Sequence, residues 1–255
     1  MDLLKEGDIV SRNSYNNDIL FYIEKIDGAN QTATLKGVVV RIQADSDLTD
    51  LSIPSNTRIN DELSSLDDII ENRNYENIRG FGKILHLDGD KRYSEKTEKY
   101  YKKQGLNYVV KHISERQQPE YIIPLLEKVQ PDILVITGHD GMIRNGRRYG
   151  DVSNYKNSKY FIKSVRQARL YNSNKNDLII YAGACQSFYE ALISVGANFA
   201  SSPARILIDF VDPLIVAETV SLTDRSKMVF MSDLEGKIRN GRKAVGGIGA
   251  RGKNM

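Results

Sequence analysis

The chain has 255 residues, of which 40% are hydrophobic and 27% are charged. These fractions are ordinary for globular domains, so they exclude disorder as the main state of the chain. The formal net charge of +3 is too small to require a nucleic-acid partner. No stretch reaches the roughly 18 consecutive apolar residues of a membrane-spanning helix. We therefore expect neither nucleic acid nor a membrane among the partners.

The amino terminus indicates an intracellular protein, and the cysteine content limits the chemistry of the chain. The first ten residues carry acidic side chains, where a secretory signal peptide would carry basic ones. We therefore expect a cytoplasmic location. Cys185 is the only cysteine, which excludes an intrachain disulfide and a multi-cysteine zinc site. Its thiol is then either a small buried group or a reactive one.

Residues 1–50 predict a small β-domain followed by a linker. The segments GDIVSRNSY, DILFYIEKID and TATLKGVVVRIQ alternate polar with apolar residues and are rich in β-branched side chains. This pattern is typical of a small β-barrel that resembles SH3-like modules. Residues 51–80 are rich in Asp, Glu, Asn and Ser, with a short apolar patch at Leu66, Ile69 and Ile70. We expect an acidic, polar linker with one helix there.

Residues 81–236 predict an α/β domain with a parallel sheet. Short apolar runs alternate with amphipathic stretches, which is the pattern of strands joined by helices. The runs at 133–136 and 178–181 are continuously apolar, as strands covered on both faces are. In the stretch between these runs, Phe161, Val165 and Ala168 are spaced as one buried stripe of a helix. Residues 237–255 are rich in Gly, Lys and Arg, and we expect a flexible basic tail.

His, Asp or Cys residues, which can act as bases, acids or nucleophiles, end or follow three of the predicted strands. They lie at the edge where parallel sheets bind ligands. His139 and Cys185 follow neighbouring strands, and they are 46 residues apart, close to the roughly 50 of the caspase signature. A thiol that precedes a helix beside a His has a lowered pKa and acts as a nucleophile. The alternative is a structural cysteine and a histidine that ends its strand by accident.

The predicted roles follow from this pairing. His139 assists the proton transfers, and the backbone N–H groups near Asp140 and of Cys185 stabilise the tetrahedral intermediate. The Asp140 side chain either orients His139 or is a solvated loop acid. His86 is expected to be a packed, hydrogen-bonded residue. A metal site that includes His86 is conceivable, but we expect no metal and no cofactor.

Longer motifs carry a resemblance to a known family. The segments LHLDGD, PDILVITGHD, NSKYFIKSVRQAR, AGACQSFYEALISVGANFASSPARILID and GGIGARG resemble the sporulation-specific peptidase family YabG over nearly the whole chain. The Cys and His pattern also looks like the caspase, gingipain and legumain group, although Asp140 stands where caspases and gingipains have Gly. The resemblance implies a caspase-like fold and a spore-forming bacterium. It also implies that the peptidase cleaves spore coat or cortex-related proteins. The peptidase would be made in the cytoplasm of the mother cell and would later associate with the spore.

The resemblance also suggests where the substrate binds. In the caspase-like group the end of the first strand lies beside the catalytic pair, so Asp88 and Asp90 are candidates for a pocket acid. A buried carboxylate there would select Arg, or less well Lys, before the scissile bond. Alternatively, both are loop acids or caps of the following helix. Ser201 and Ser202 are further candidates to line the cleft, although a Ser-Pro turn explains them equally well.

Two other classes of function remain open from the sequence. The first is a non-enzymatic spore coat or assembly protein with an inactive α/β scaffold. The second is a cysteine-dependent hydrolase or acyltransferase that acts on small molecules. The sequence does not indicate the oligomeric state.

Overall fold

The computed structural model describes residues 4–71, 80–143 and 149–255, without the side chains of residues 65–71. These residues form a mixed α/β structure with an antiparallel sheet at the amino-terminal end and a mostly parallel sheet after it. No helix in the described ranges is long and apolar enough to cross a membrane. The predicted apolar patch at Leu66, Ile69 and Ile70 lies outside the described side chains.

The amino-terminal sheet has the strand order β4-β3-β2-β1-β5 in the described residues, and its neighbouring strands are antiparallel. Alternate residues of β3 are buried, as the sequence pattern predicted. The last strand extends this sheet into the predicted linker, where a helix, α1, follows it. The elements are β1 Ile9–Arg12, β2 Leu20–Asp27, β3 Thr32–Gly37, β4 Gln43–Asp47, β5 Leu51–Ser52 and α1 Asn56–Glu71.

The second sheet has the order β12-β10-β9-β8-β6-β7 within the described part of the chain. All neighbouring pairs are parallel except β10 with β12. Its strands are β6 Ile84–Asp88, β7 Tyr108–His112, β8 Ile133–Thr137, β9 Ile179–Ala182, β10 Phe199–Ser201 and β12 Val245–Gly247. The two continuously apolar runs form the central strands β8 and β9, so that prediction is confirmed. The strand order reverses between β6 and β8, and open α/β sheets bind their ligands at such a point.

Helices cover both faces of this sheet, which explains the unbroken apolar runs. In β8, Ile133 and Val135 belong to one apolar cluster, whereas Leu134 and Ile136 belong to another. The stripe of α4 packs in the second cluster, as predicted. The helices are α2 Lys91–Lys103, α3 Gln118–Val129, α4 Ser158–Tyr171, α5 Tyr189–Ser194 and α6 Asp212–Leu222. Two short strands, β11 Met228–Val229 and β13 Ala250–Arg251, pair with each other.

The expectation of a flexible tail at residues 237–255 is corrected by the structure. Strand β12 is the edge strand of the main sheet and pairs antiparallel with β10. A Cβ at Gly246 would lie 2.6 Å from the Tyr189 hydroxyl, and one at Gly247 would lie 2.4 Å from the Phe199 ring. The glycines are therefore required for close packing rather than for mobility. Buried apolar residues of this segment are Ile238, Ala244, Val245 and Ala250.

Candidate active site

His139 lies two residues beyond β8, at the carboxyl edge of the main sheet, and is fully buried. Neither of its ring nitrogens has a hydrogen-bond partner among the described residues. The Tyr93 ring lies 5.6 Å from the imidazole ring, and a carboxylate oxygen of Glu115 lies 3.9 Å from Nδ1. Burial lowers the pKa of His139 to about 3. The imidazole is therefore neutral at physiological pH and has unused hydrogen-bonding capacity.

Cys185 lies three residues beyond β9 and is also fully buried. Its Sγ accepts a hydrogen bond from the Ile208 backbone N–H at 3.2 Å. Burial raises the pKa of the thiol to about 12, although the backbone groups of Ile208 and Arg41 oppose the shift. Helix α5 begins only at Tyr189 and has six residues, so the thiol does not lie in its first turn. The lowered thiol pKa expected from the sequence is not found, because burial outweighs any effect of the helix.

The structure places His139 and Cys185 at the same edge, around Tyr93. The strands that precede them, β8 and β9, are adjacent and in parallel register. Burial raises the pKa of the Tyr93 phenol, and the negative charge of an ionised Cys185 adds to the effect. Tyr93 belongs to the same apolar cluster as Cys185, and its ring lies 5.6 Å from that of His139. It comes from α2, and nothing in its local sequence indicated a place in the site.

The Asp140 side chain is neither a solvated acid nor a partner of the His139 ring. It is fully buried, and its carboxylate accepts four hydrogen bonds at 2.5 to 2.9 Å. The donors are the backbone N–H groups of Gly141 and Asn157 and the hydroxyls of Ser158 and Ser187. Burial raises the pKa of Asp140, and the hydrogen bonds oppose that shift.

This carboxylate links the loop of His139 to the loop of Cys185. The Ser187 hydroxyl, which donates to Asp140, accepts from the Ala184 N–H at 2.9 Å. The Ser158 hydroxyl, which also donates to Asp140, accepts from the Phe188 N–H at 2.8 Å. The backbone on both sides of Cys185 is thus held through Asp140. We assign the side chain a positioning role.

The two candidate pocket acids have different environments. Asp88 ends β6, is fully buried, and accepts from the Asp90 N–H at 2.9 Å and the Thr137 hydroxyl at 3.1 Å. It also pairs with the guanidinium of Arg41. Asp90 caps α2 by accepting from the Arg92 N–H at 2.8 Å, and it pairs with the Arg92 side chain. Burial alone would raise the pKa of Asp90, but Arg92 holds it well below its usual range.

The side chains of Ser201, Ser202 and His86 form hydrogen bonds inside the fold. The Ser201 hydroxyl is 2.8 Å from that of Tyr181, and the Ser202 hydroxyl donates to the Ile206 carbonyl at 2.8 Å. Both serines are fully buried, and the second bond closes a turn of the kind that the Ser-Pro sequence suggested. The His86 ring nitrogens lie 2.9 Å from the hydroxyls of Tyr101 and Thr137. The prediction of a packed, hydrogen-bonded His86 is confirmed.

Two charged residues of this region were not found from the sequence. Arg41 comes from the amino-terminal module and is fully buried; a single Arg in the apolar run VVVRI was its only signal. Glu115 accepts from the His139 backbone N–H at 2.7 Å. A Cβ at Gly89 or Gly138 would lie within 2.4 Å of the Glu115 carboxylate, so those glycines make room for it. Burial raises the pKa of Glu115.

Comparisons with known proteins identify the family. A family model described as YabG peptidase U57 matches residues 5–255. The sporulation-specific protease YabG of Bacillus subtilis (strain 168) is 35% identical over 274 aligned positions, which cover 96% of this chain and 94% of that protein. No solved structure matches the chain. The extent of both sequence matches shows that the chain belongs to the YabG family of sporulation peptidases.

Proposed function

We propose that the protein is a cysteine endopeptidase that works through Cys185 and His139. The observation that carries this proposal is the state of His139. Its two ring nitrogens are buried without a hydrogen-bond partner in the described structure, at the sheet edge that also holds the lone cysteine. Buried polar atoms are normally satisfied, and a base that awaits a proton from a nucleophile explains the exception.

The reaction begins from a neutral thiol and a neutral imidazole, the forms that burial favours for both groups. The Cys185 thiol passes its proton to the neutral imidazole of His139 as the sulfur attacks the scissile carbonyl carbon. The N–H groups of Asp140 and Cys185 donate to the oxyanion. The C–N bond then breaks, and His139 returns the proton to the leaving amine. Water hydrolyses the thioester, which releases the carboxylic acid and restores the thiol.

Asp88 is the proposed acid of the pocket for the residue before the scissile bond. It is buried and already binds a guanidinium, that of Arg41. A buried carboxylate selects a cation, because an apolar or acidic side chain would leave its charge unpaired. Arg matches it better than Lys, since a planar guanidinium donates two parallel hydrogen bonds. Asp90 is assigned to capping α2.

The finer structural assignments are also proposals. The positions of His139 and Cys185 after adjacent parallel strands support a caspase-like domain that begins near residue 81. The five antiparallel strands described in the amino-terminal module support an SH3-like barrel. Because the relative from Bacillus subtilis is a sporulation-specific protease, we propose spore coat or cortex-lytic proteins as substrates. The mother cell is the proposed place of synthesis, with later association with the spore.

A peptide library varied only at the residue before the scissile bond tests the dyad and the pocket. We expect wild type to prefer Arg, Cys185→Ala to cleave nothing, and Asp88→Asn to lose the Arg preference. Asp90→Asn is the matched control, because its carboxylate is engaged by Arg92, and it should keep the preference. Cleavage by Cys185→Ala would overturn the nucleophile assignment. An unchanged preference in Asp88→Asn would move the pocket to another acid, with Asp209 and Asp212 the next candidates.

A further inference from the structure

Residues 38–42 cross the edge of the main sheet at which the proposed catalytic pair lies. This segment joins β3 to β4 of the amino-terminal module and continues the apolar run of that module. Its backbone pairs with the α/β domain on two sides. Val40 forms an antiparallel bridge with Asp209, and Ile42 forms a parallel bridge with Asp140. Residues 38 and 39 form the bend of the β3–β4 connection, and residues 40–42 lie between two backbone stretches that flank the site, as part of a bound peptide would.

The Arg41 side chain fills the pocket assigned above to the substrate. It is fully buried and pairs with Asp88. The same terminal nitrogen lies 3.2 Å from the Thr137 hydroxyl, and the guanidinium carbon lies 4.6 Å from the Tyr93 ring centre. A buried carboxylate, a hydroxyl and an aromatic face together form a site for a guanidinium.

The backbone of Arg41 occupies the position of a scissile residue. Its carbonyl oxygen accepts a hydrogen bond from the Asp140 N–H at 3.2 Å, and that N–H is one of the two proposed oxyanion donors. Two residues further along the chain, the Gln43 N–H donates to the Asp140 carbonyl at 2.9 Å. One of the two proposed oxyanion donors is thus already bonded to the Arg41 carbonyl, as it would be to the carbonyl of a substrate.

We propose that residues 38–42 are an internal pseudosubstrate that occupies the substrate groove and blocks it until the segment is withdrawn. This inference rests on the proposed function. The geometry defines the groove: a substrate binds as an extended strand between Asp140 and Asp209, with a basic side chain on Asp88. The cavity lined by residues of the amino-terminal module, Ile42 among them, and by Met142, Gln186 and Leu207 receives the residues after the scissile bond.

The energetics favour a closed groove that substrate opens by competition. If the segment leaves the groove and no substrate replaces it, the Asp88 carboxylate remains buried without a cation, which costs free energy. A substrate Arg restores the same contacts, so exchange is nearly neutral for the pocket. The internal segment is tethered, however, and a short tether acts at an effective concentration in the millimolar range. Weakly bound substrates therefore compete poorly, and a partner that pulls the module away would activate the enzyme.

Alkylation of the single cysteine tests this inference without relying on catalysis. Cys185 is the only thiol, so iodoacetamide labelling of the folded protein reports on this residue alone, through its access and its thiolate fraction. Loss of the Arg41 charge raises the pKa of the thiol and by itself slows labelling, so faster labelling reports greater access. Arg41→Gln shortens the side chain and removes the charge, and we expect labelling at least tenfold faster than in wild type. Arg58→Ala is the control, because Arg58 bonds Asn17 and Glu62 within the amino-terminal part of the chain. It should label as wild type does.

Cleavage of an Arg-containing peptide by the same variants completes the test. Arg41→Gln should raise kcat/KM through a lower KM, and a free peptide of residues 37–43 should inhibit that variant competitively. The same peptide with alanine in place of arginine should not inhibit. Far-UV circular dichroism checks folding, and Arg41→Ala is the second variant if Arg41→Gln does not fold.

The outcomes separate this inference from the proposed function. Labelling of both Arg41 variants no faster than that of Arg58→Ala would overturn the pseudosubstrate, even if wild type cleaves peptides. Faster labelling with no cleavage by any variant would support the occluding segment and refute the peptidase dyad. Cleavage of wild type itself after Arg41, absent in Cys185→Ala, would support the placement of the segment in the groove.

Discussion

Replacing Asp140 tests how the two catalytic loops are held together. Its carboxylate accepts four hydrogen bonds, and two of them come from hydroxyls that in turn hold the backbone around Cys185. Hydrogen bonds to a charged group are worth roughly 1.5 kcal/mol each, so Asp140→Ala forfeits about 6 kcal/mol before compensation. The cost of burying the carboxylate, visible in its raised pKa, offsets a few kcal/mol of this loss.

We therefore expect Asp140→Ala to lower the free energy of unfolding by about 3 kcal/mol. Asp140→Asn keeps an oxygen for the Gly141 and Asn157 N–H groups but loses the acceptor for the two hydroxyls, so it should lose about half as much. Cleavage should fall further than stability does, because Cys185 depends on the lost bonds for its position. Asp224→Asn, at an exposed turn, is the matched control and should stay within about 0.5 kcal/mol of wild type.

Urea unfolding followed by far-UV circular dichroism measures the stability, since the chain has no Trp to serve as a fluorescent probe. Peptide cleavage is measured on the same folded samples, and Ser187→Ala serves as a second probe of the same link. A wild-type unfolding midpoint together with wild-type cleavage in Asp140→Asn would refute the positioning role.

Four further predictions follow from the same structure. His139→Ala should abolish peptide cleavage and, because it leaves a cavity beside the Tyr93 ring, should lower the free energy of unfolding by about 2 kcal/mol; retained turnover would exclude it as the base. Asp90→Ala should cost about 1 kcal/mol in urea unfolding through the cap of α2, and no loss would contradict the cap. Burial, aided by Asp209, raises the pKa of Asp212 from 3.8 to about 7, so the stability associated with its protonated form is lost as pH rises through about 7. Asp212→Asn should then unfold at higher urea than wild type at pH 8 and at nearly the same urea at pH 4, a difference of up to about 4 kcal/mol; equal midpoints at both pH values would argue against it. Removal of residues 245–255 should cause loss of cooperative unfolding, because an edge strand of the main sheet is deleted, whereas a truncated chain that melts as wild type does would show that the segment is dispensable.

The elements of the main sheet were predictable because their signals are local. A strand buried on both faces must be apolar throughout, and the runs at β8 and β9 show this in five or fewer consecutive residues. The order of parallel strands then brings their carboxyl ends to one edge. For that reason the sequence predicts His139 and Cys185 at one edge, and the strands that precede them are adjacent and parallel.

The contacts that complete the site were decided by tertiary structure. Arg41 and Asp88 are separated by 47 residues, and no pattern within either segment indicates that they pair. The thiol pKa is another case, because a position before a helix suggests a lowered value, whereas burial raises it. Periodicity and residue type report what one segment prefers. Burial, charge pairing and the close approach of Gly246 and Gly247 to distant rings depend on which segments meet, and only the folded chain determines that.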